Sequence, residues 1–437
     1  MNLNNKIIEF ISTPEINFKK SLLNGFKKIK NSPKFDKYLI YFWLLGPFLY
    51  LIERTPADIW LSFIAIAFLI HSFIKNDWSW ANQLWFRLVM FFWLICIISS
   101  MLSSNPTFSL GHSIVWIRFP IYAVAIQTWL AKDRDNRIIM LLSILIGFII
   151  MCFILLSEIL YNSFYLSTNY ERLSWPYGDF IPGAYLAKIS ILIICIFFCV
   201  GLKKINKNKS ILFVISIFGP LFIFFTGERM HLIICLSTVL LATILWNSKI
   251  KNLFALIILL FVIIISGILK PDFYKRFTSD FIKSIPILNF HDNEYWGAWR
   301  GGLQQGLDTP IIGVGPAMTR LTCQDLKPQK MEWLPGSNYC GNHPHNYYIQ
   351  LFAETGLIGL IAGFSMFLGI IYTVYKARET NKECPMALLY FIIPIIIFFP
   401  FQQTGNFFGQ WGNLFIWFCI SFCIAQNQNY KKSKLGN

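Results

Sequence analysis

Two histidines and a polar stripe mark the stretch of the chain whose residue types could do chemistry. This stretch, HPHNYYIQLFAETGLIG, begins at His343. Asn346 is a good helix N-cap, and Asn346, Gln350 and Glu354 recur every fourth residue, which predicts a polar stripe along one helix face. We expect His345, just before the helix start, to be neutral near pH 7, because the positive end of the helix dipole disfavours imidazolium. A neutral imidazole can accept a proton from a hydroxyl group.

Arginines elsewhere in the chain sharpen this interpretation. Taken alone, a histidine near a helix start is more often a structural cap than a catalyst. Arg229 and Arg300 change that balance, because a guanidinium group has a fixed fork of donors suited to phosphate oxygens. Together with His343 and His345 they predict a site for a lipid phosphate or diphosphate; for each arginine the alternative is a salt bridge or a headgroup contact. Further candidate substrate contacts are Arg118, Arg172 and Trp299.

The elements that must position these residues are predicted to be membrane-spanning helices. Of 437 residues, 55% are hydrophobic and 14% are charged, and the apolar residues form long unbroken runs. Runs of about 17 to 25 apolar residues match the hydrocarbon core of a bilayer, where an open sheet cannot satisfy its backbone. The sequence therefore predicts an all-α membrane protein of about twelve spans, placed near 38–53, 57–74, 85–102, 109–130, 138–160, 184–202, 209–226, 230–247, 252–269, 356–376, 386–402 and 412–426.

The net charge of +16 is distributed as a topology signal. Lysines and arginines concentrate in the basic segment 1–37, in alternate connections and in the tail 427–437, whereas the other connections are nearly bare of positive charge. The positive-inside rule then predicts that both termini are cytoplasmic. We expect no cleavable signal peptide, because the long basic stretch precedes the first apolar run and no small-residue cleavage site follows it.

One large hydrophilic segment, 270–345, separates the predicted spans of 38–269 from those of 346–426. On this topology it is a periplasmic loop domain, too long for a simple connection. Within it, 294–303 predicts a short helix and 308–316 a turn-rich connection, and no strand precedes the turn as a nucleotide loop requires. The ionisable residues inside the predicted spans fall in the outer half, which argues against a transporter, since transporters place polar groups at the midplane. These residues are Arg118, Glu158, Lys188, Glu228 and Arg229.

Two of the ten cysteines, Cys323 and Cys340, lie in this aqueous segment. They are candidates for a disulfide, which would close a short loop ahead of His343. Two unpaired thiols remain the alternative. A zinc site is disfavoured, because these cysteines and the two histidines lack the usual paired ligand spacing.

The pattern from His345 and Asn346 to Gly356 resembles the signature of the O-antigen ligase and polymerase superfamily of bacterial envelope glycosyltransferases. The resemblance extends to twelve helices, to a large outer domain between the ninth and tenth, and to the turn TGERMH that carries Arg229. Arg300 ahead of a P-x-x-G-x-G turn matches as well.

This resemblance implies transfer of a glycan from undecaprenyl diphosphate to an acceptor at the periplasmic face of the inner membrane, with neither nucleotide nor metal and with no cofactor. His345 would be the base, Arg229 and Arg300 would hold the diphosphate, and His343 and Glu354 would support them. The first hypothesis is an O-antigen ligase acting on the lipid A-core of lipopolysaccharide. The alternatives are a repeat-unit polymerase of the same superfamily and a secondary transporter or flippase.

Overall fold

The computed structural model describes residues 18–166, 172–178, 182–200, 218–245, 294–323, 340–380, 393–400 and 404–425, with isolated positions between 257 and 275. The ordered elements in these ranges are helices and turns, and no strand occurs in them. The predicted span 252–269 and the tail 427–437 lie largely or wholly outside these residues.

Fourteen numbered helices follow one another in the described part of the chain, together with short helical stretches at 218–225 and 393–397. They are α1 (Phe18–Asn31), α2 (Lys34–Leu44), α3 (Gly46–Ile52), α4 (Arg54–Lys75), α5 (Leu84–Met101), α6 (Pro106–Trp116), α7 (Arg118–Ala125), α8 (Arg134–Tyr161), α9 (Pro182–Val200), α10 (Arg229–Leu245), α11 (Glu294–Asp308), α12 (Thr319–Thr322), α13 (Tyr347–Thr380) and α14 (Gln410–Ala425).

Five helical segments of the described chain are long and apolar enough to cross a membrane. The number is six if α2 and α3, which meet at an angle of 43°, form one bent span. Each of these spans overlaps a predicted one, and α14 is a shorter apolar helix at the last predicted position. The predicted all-helical fold with candidate membrane spans is therefore confirmed for the described residues, whereas the number of twelve spans and the position of the loop domain stay predictions. The five segments are Arg54–Lys75, Leu84–Met101, Pro106–Leu130, Asp135–Phe164 and Tyr347–Lys376.

Helix α13 is the central support of the site, and α5 and α11 pack along it. Gly363 and Gly369 face α5, and a Cβ at Gly369 would lie 2.5 Å from Leu88 Cδ1. On the α11 side, Gly302 and Gly306 are one turn apart, and a Cβ at Gly306 would lie 2.2 Å from the ring of Phe352. Small residues let helix backbones approach closely in a membrane, where the hydrophobic effect does not drive association. The glycines thus hold α11 firmly against α13.

The loop 404–409 reaches the site from the far side and is fixed by a buried asparagine of α14. Asn413 Nδ2 donates to the carbonyl oxygen of Phe407 at 2.5 Å, and its Oδ1 accepts from the indole N–H groups of Trp116 and Trp417 at 3.0 and 3.1 Å. Each polar atom of this buried amide therefore has a partner, as buried polar groups require. This loop carries Thr404, which contacts both histidines.

Candidate functional site

A cavity of about 490 Å³ lies between α9, α10, α14, the start of α13 and the segment 393–397. One part of its lining is polar, the other apolar. The polar residues are Arg172, Lys188, Glu228, Arg229, His231, Tyr295, His343, His345 and Thr404, and the apolar ones include Ala187, Ile191, Ile234, Ile396, Ile397 and Ile416.

The two histidines reach this cavity because the chain turns sharply just before α13. Asn346 caps the helix as the sequence predicts, its Oδ1 accepting from the backbone N–H groups of Tyr348 and Ile349 at 3.0 and 3.2 Å. His345 has a positive φ of 55°, which is uncommon for a residue with a side chain. The N–H of Thr404 donates to its carbonyl oxygen at 2.8 Å and so holds this conformation.

His343 and His345 lie side by side, with ring centroids 4.1 Å apart. Nε2 of His343 lies 3.3 Å from the carbonyl oxygen of Thr404, so this nitrogen carries the proton. Burial, and after it the neighbouring His345, lower the pKa of His343 from 6.5 to about 4, against the opposing effect of the Thr404 bond. His343 is therefore neutral at pH 7. The ring of Tyr295, from α11, meets His345 edge-on at a centroid distance of 5.3 Å.

The opposite wall carries the charged groups. Arg229 is the first residue of α10, and the preceding Glu228 forms an ion pair with Arg172. Glu228 Oε2 also lies 3.2 Å from Nδ1 of His231. The one carboxylate among the described lining residues is thus engaged by two neighbours. Lys188 stands on α9, with its ammonium group 5.2 Å from the centroid of the Phe415 ring.

Several predicted site residues lie elsewhere. Arg118 donates from Nη2 to Asp58 Oδ1 at 2.8 Å and ties α7 to α4. Arg300 is 7% exposed on α11 and is not brought to the cavity lining. Trp299 packs near Trp296, with ring centroids 6.4 Å apart.

At the far end of the histidine motif, the backbone around Gly356 packs against the turn 310–315, and we call this junction the latch. Gly356 interrupts α13 with φ 65° and ψ −168°, and a Cβ there would lie 2.3 Å from the backbone of Ile311. The turn 310–315 fits into this interruption, and the N–H of Gly315 donates to the carbonyl oxygen of Glu354 at 2.9 Å. Only glycine suits this position, because it combines a positive φ with so close a backbone contact. The motif from His345 to Gly356 therefore connects a residue of the cavity lining with a glycine at which two backbone segments pack together.

The side chain of Glu354 belongs to the latch and not to the cavity lining. It is 1% exposed, and its Oε2 accepts from the N–H of Ala317 at 2.9 Å and from Nε2 of Gln350 at 3.2 Å. Nε2 of Gln350 also donates to Asn406 Oδ1 at 2.8 Å. The predicted polar stripe thus links the turn 310–315 to the loop beside the histidines.

A disulfide joins Cys323, just after α12, to Cys340, with their Cα atoms 5.5 Å apart. It ties Cys323, which follows the turn 310–315 in the chain, to the stretch just ahead of His343. In the described part of the chain, no group of three or more His, Cys, Asp and Glu residues is arranged to hold a metal ion.

Sequence reasoning missed several polar residues of the lining, among them Lys188, Glu228, His231, Tyr295 and Thr404. The signal for the first two was present, since ionisable residues inside predicted spans mark function. Nothing in the sequence, however, showed which of those residues share one cavity.

A comparison with protein families matches residues 211–364 to a family described as O-antigen ligase. The matched segment contains α10, α11, the latch, both histidines and the first half of α13. A comparison with curated proteins gave no match. This match confirms the resemblance that the motifs indicate: residues 211–364 of the chain are similar to the O-antigen ligase family.

Proposed function

We propose that the protein is an O-antigen ligase-type glycosyltransferase, which moves a glycan from undecaprenyl diphosphate to the lipid A-core of lipopolysaccharide. The observation that carries this proposal is that His345 and Arg229 line one cavity. One substrate bound in this cavity would contact both His345, as the base for an acceptor hydroxyl, and Arg229, as the cation for a phosphate leaving group.

The reaction needs one proton transfer and one displacement. The imidazole of His345 takes the proton of the acceptor hydroxyl, and the oxygen attacks the anomeric carbon of the glycan. The bond between that carbon and the diphosphate oxygen breaks, and the diphosphate leaves with the bonding electrons. Arg229 stabilises the charge that develops on it, so positioning and electrostatics supply the catalysis. The neutral His343 beside His345 leaves the base free of a second fixed positive charge.

The lining of the cavity fits an amphiphile. Isoleucines of α9, α10, α14 and the segment 393–397 form an apolar wall beside the charged one. A prenyl chain can pack against the isoleucines while its diphosphate meets the cations, and apolar burial adds about 0.8 kcal/mol per CH₂ group.

The distribution of lysines supports the location of this site. With both termini cytoplasmic under the positive-inside rule, the cavity opens to the periplasmic side of the inner membrane. That is the side on which lipid-linked glycan and lipid A-core would meet.

Reconstitution tests the proposal directly. Purified full-length protein in vesicles is given undecaprenyl diphosphate-linked glycan and lipid A-core, and we expect a core-attached glycan and released undecaprenyl diphosphate. Formation of glycan dimers on the donor, with no core-attached product, would instead identify the repeat-unit polymerase of the same superfamily. Absence of both products with an intact, folded protein would overturn the transferase proposal.

Gel banding of extracted lipopolysaccharide separates the two enzymes in cells. A strain lacking the ligase loses every core-attached chain length. A strain lacking the polymerase keeps a core bearing one repeat.

A further inference from the structure

Lys188 places a third cation on the cavity that holds Arg229 and His345. We propose that Lys188 is a specificity-determining residue, through which the cavity distinguishes a diphosphate from a monophosphate. This inference rests on the proposed function, because it concerns the donor that the same site would bind.

The surroundings of Lys188 make a lysine costly there. Lys188 is half-buried within the apolar helix α9, where the adjacent residues Ala187 and Ile189 are buried. An ammonium group in such a setting loses much of its hydration, and this loss is repaid only by a partner. The ring of Phe415, 5.2 Å away, offers a cation–π contact, which compensates part of the loss.

No carboxylate of the described chain forms an ion pair with Lys188. The carboxylate that shares its cavity, Glu228, is bound to Arg172 and lies beside His231. The described lining therefore has three cations and one carboxylate, so its positive side chains outnumber its negative ones. A cavity with this balance favours an anion that carries more than one negative charge.

Arginine and lysine suit different parts of a diphosphate. A guanidinium group binds phosphate oxygens through a fixed fork, whereas a lysine is a compact point charge on a flexible stem. Arg229 can hold one phosphate, and Lys188 can follow the other. A monophosphate offers a ligand to only one of them, so the loss of Lys188 should weaken diphosphate binding and leave monophosphate binding nearly unchanged.

Equilibrium binding of radiolabelled farnesyl diphosphate and farnesyl monophosphate to the purified full-length protein tests this. We expect the wild type to bind the diphosphate about 10- to 100-fold more tightly, the effect of one charge-assisted hydrogen bond. Lys188→Met should reduce this ratio to near one, and Lys188→Arg should restore most of it. Lys75→Met removes an exposed lysine outside the cavity and should leave the ratio unchanged.

Stability serves as the control for folding. Lys188→Met removes a poorly hydrated charge, and the contact from Cys419 reaches the backbone oxygen of Lys188, so the thermal midpoint should not fall. Lys188→Gln is a second neutral variant that keeps a polar group, and it should also bring the ratio of the two affinities close to one. In a separate experiment, inorganic diphosphate competes with radiolabelled farnesyl diphosphate. Displacement much weaker than by unlabelled farnesyl diphosphate supports a ligand borne on a lipid. Equal displacement by the two competitors overturns a lipid-borne ligand.

The outcomes separate this inference from the function on which it rests. A wild type that prefers the diphosphate, with neutral variants that prefer it equally, would overturn the role of Lys188 and leave the transferase intact. A wild type that binds neither farnesyl compound would overturn both.

Discussion

Both ends of the histidine motif contain polar residues, but the surroundings of these residues differ. At the N-terminal end, His343 and His345 face a cavity in which cations outnumber carboxylates. At the C-terminal end, the carboxylate of Glu354 is buried, with two hydrogen-bond donors directed at it. The difference teaches that polar residues of one short motif can line a cavity at one end and support packing at the other.

Replacement of His345 should produce the largest effect. We expect His345→Ala to lower the rate of glycan transfer by about 10²- to 10⁴-fold, because a positioned general base contributes that much. The thermal midpoint should stay near that of the wild type, and rates are measured in the reconstituted assay. His112→Ala, which removes a histidine outside the cavity, is the matched control. Wild-type turnover by His345→Ala would remove this residue from the mechanism.

Replacement of Arg229 and replacement of Arg300 should have different effects on the lipid-linked donor, although the resemblance gave both residues the same role. We expect Arg229→Ala to lower kcat/KM for the lipid-linked donor by about 10- to 100-fold, the contribution of one or two hydrogen bonds from a charged group. Arg300→Ala should affect donor affinity less, since Arg300 is not part of the cavity lining. Donor titrations with the two variants compare them. An equal loss of donor affinity would show that Arg300, on α11, acts on the donor together with Arg229, on α10.

The latch end should respond in stability and not in donor binding. Glu354→Leu leaves the N–H of Ala317 and the amide of Gln350 without their acceptor, which we expect to cost about 1–3 kcal/mol of unfolding free energy. Glu354→Gln keeps a side-chain oxygen for Ala317 and should cost less. Unfolding in detergent measures both. If Glu354→Leu instead weakens donor binding at unchanged stability, Glu354 contacts substrate, as the resemblance implies.

At neutral pH the smallest effect should come from His343, whose contribution appears as a pH dependence of stability in acid. Its pKa is lowered to about 4 in the folded protein, so on acidification the unfolded chain takes up the proton first. Stability from this residue is complete above pH 6.5 and is lost as the pH falls from 6.5 to about 4. His343→Gln should flatten this part of the curve of thermal midpoint against pH. A curve that is the same in both proteins would show that His343 does not contribute.

The sequence predicted local structure well where a single residue determines it. Asn346 caps α13, the turn after Asp308 is present, and the helix that begins at Glu294 is found. These features follow from hydrogen bonding and backbone preferences within a few residues, which the sequence contains directly.

What the sequence could not predict depends on contacts between distant segments. Periodicity places Glu354 on one face with Asn346, but it does not tell a buried face from one that lines a cavity. In the same way, Arg118 and Lys188 both look like functional charges inside predicted spans. Only the fold shows that Arg118 meets Asp58, whereas Lys188 faces the cavity. Partners that are far apart in the chain decide the role of each charge.

The disulfide and the latch together limit how far the segment that carries the histidines can move. The covalent route from the latch through Cys323 and Cys340 to His345 is tethered at both ends to the same helix, α13. A segment that is joined to one helix at two points cannot move aside without breaking one of the two connections. Any widening of the cavity is therefore expected on the side of α9 and α10, which carry Lys188 and Arg229, and not at His345.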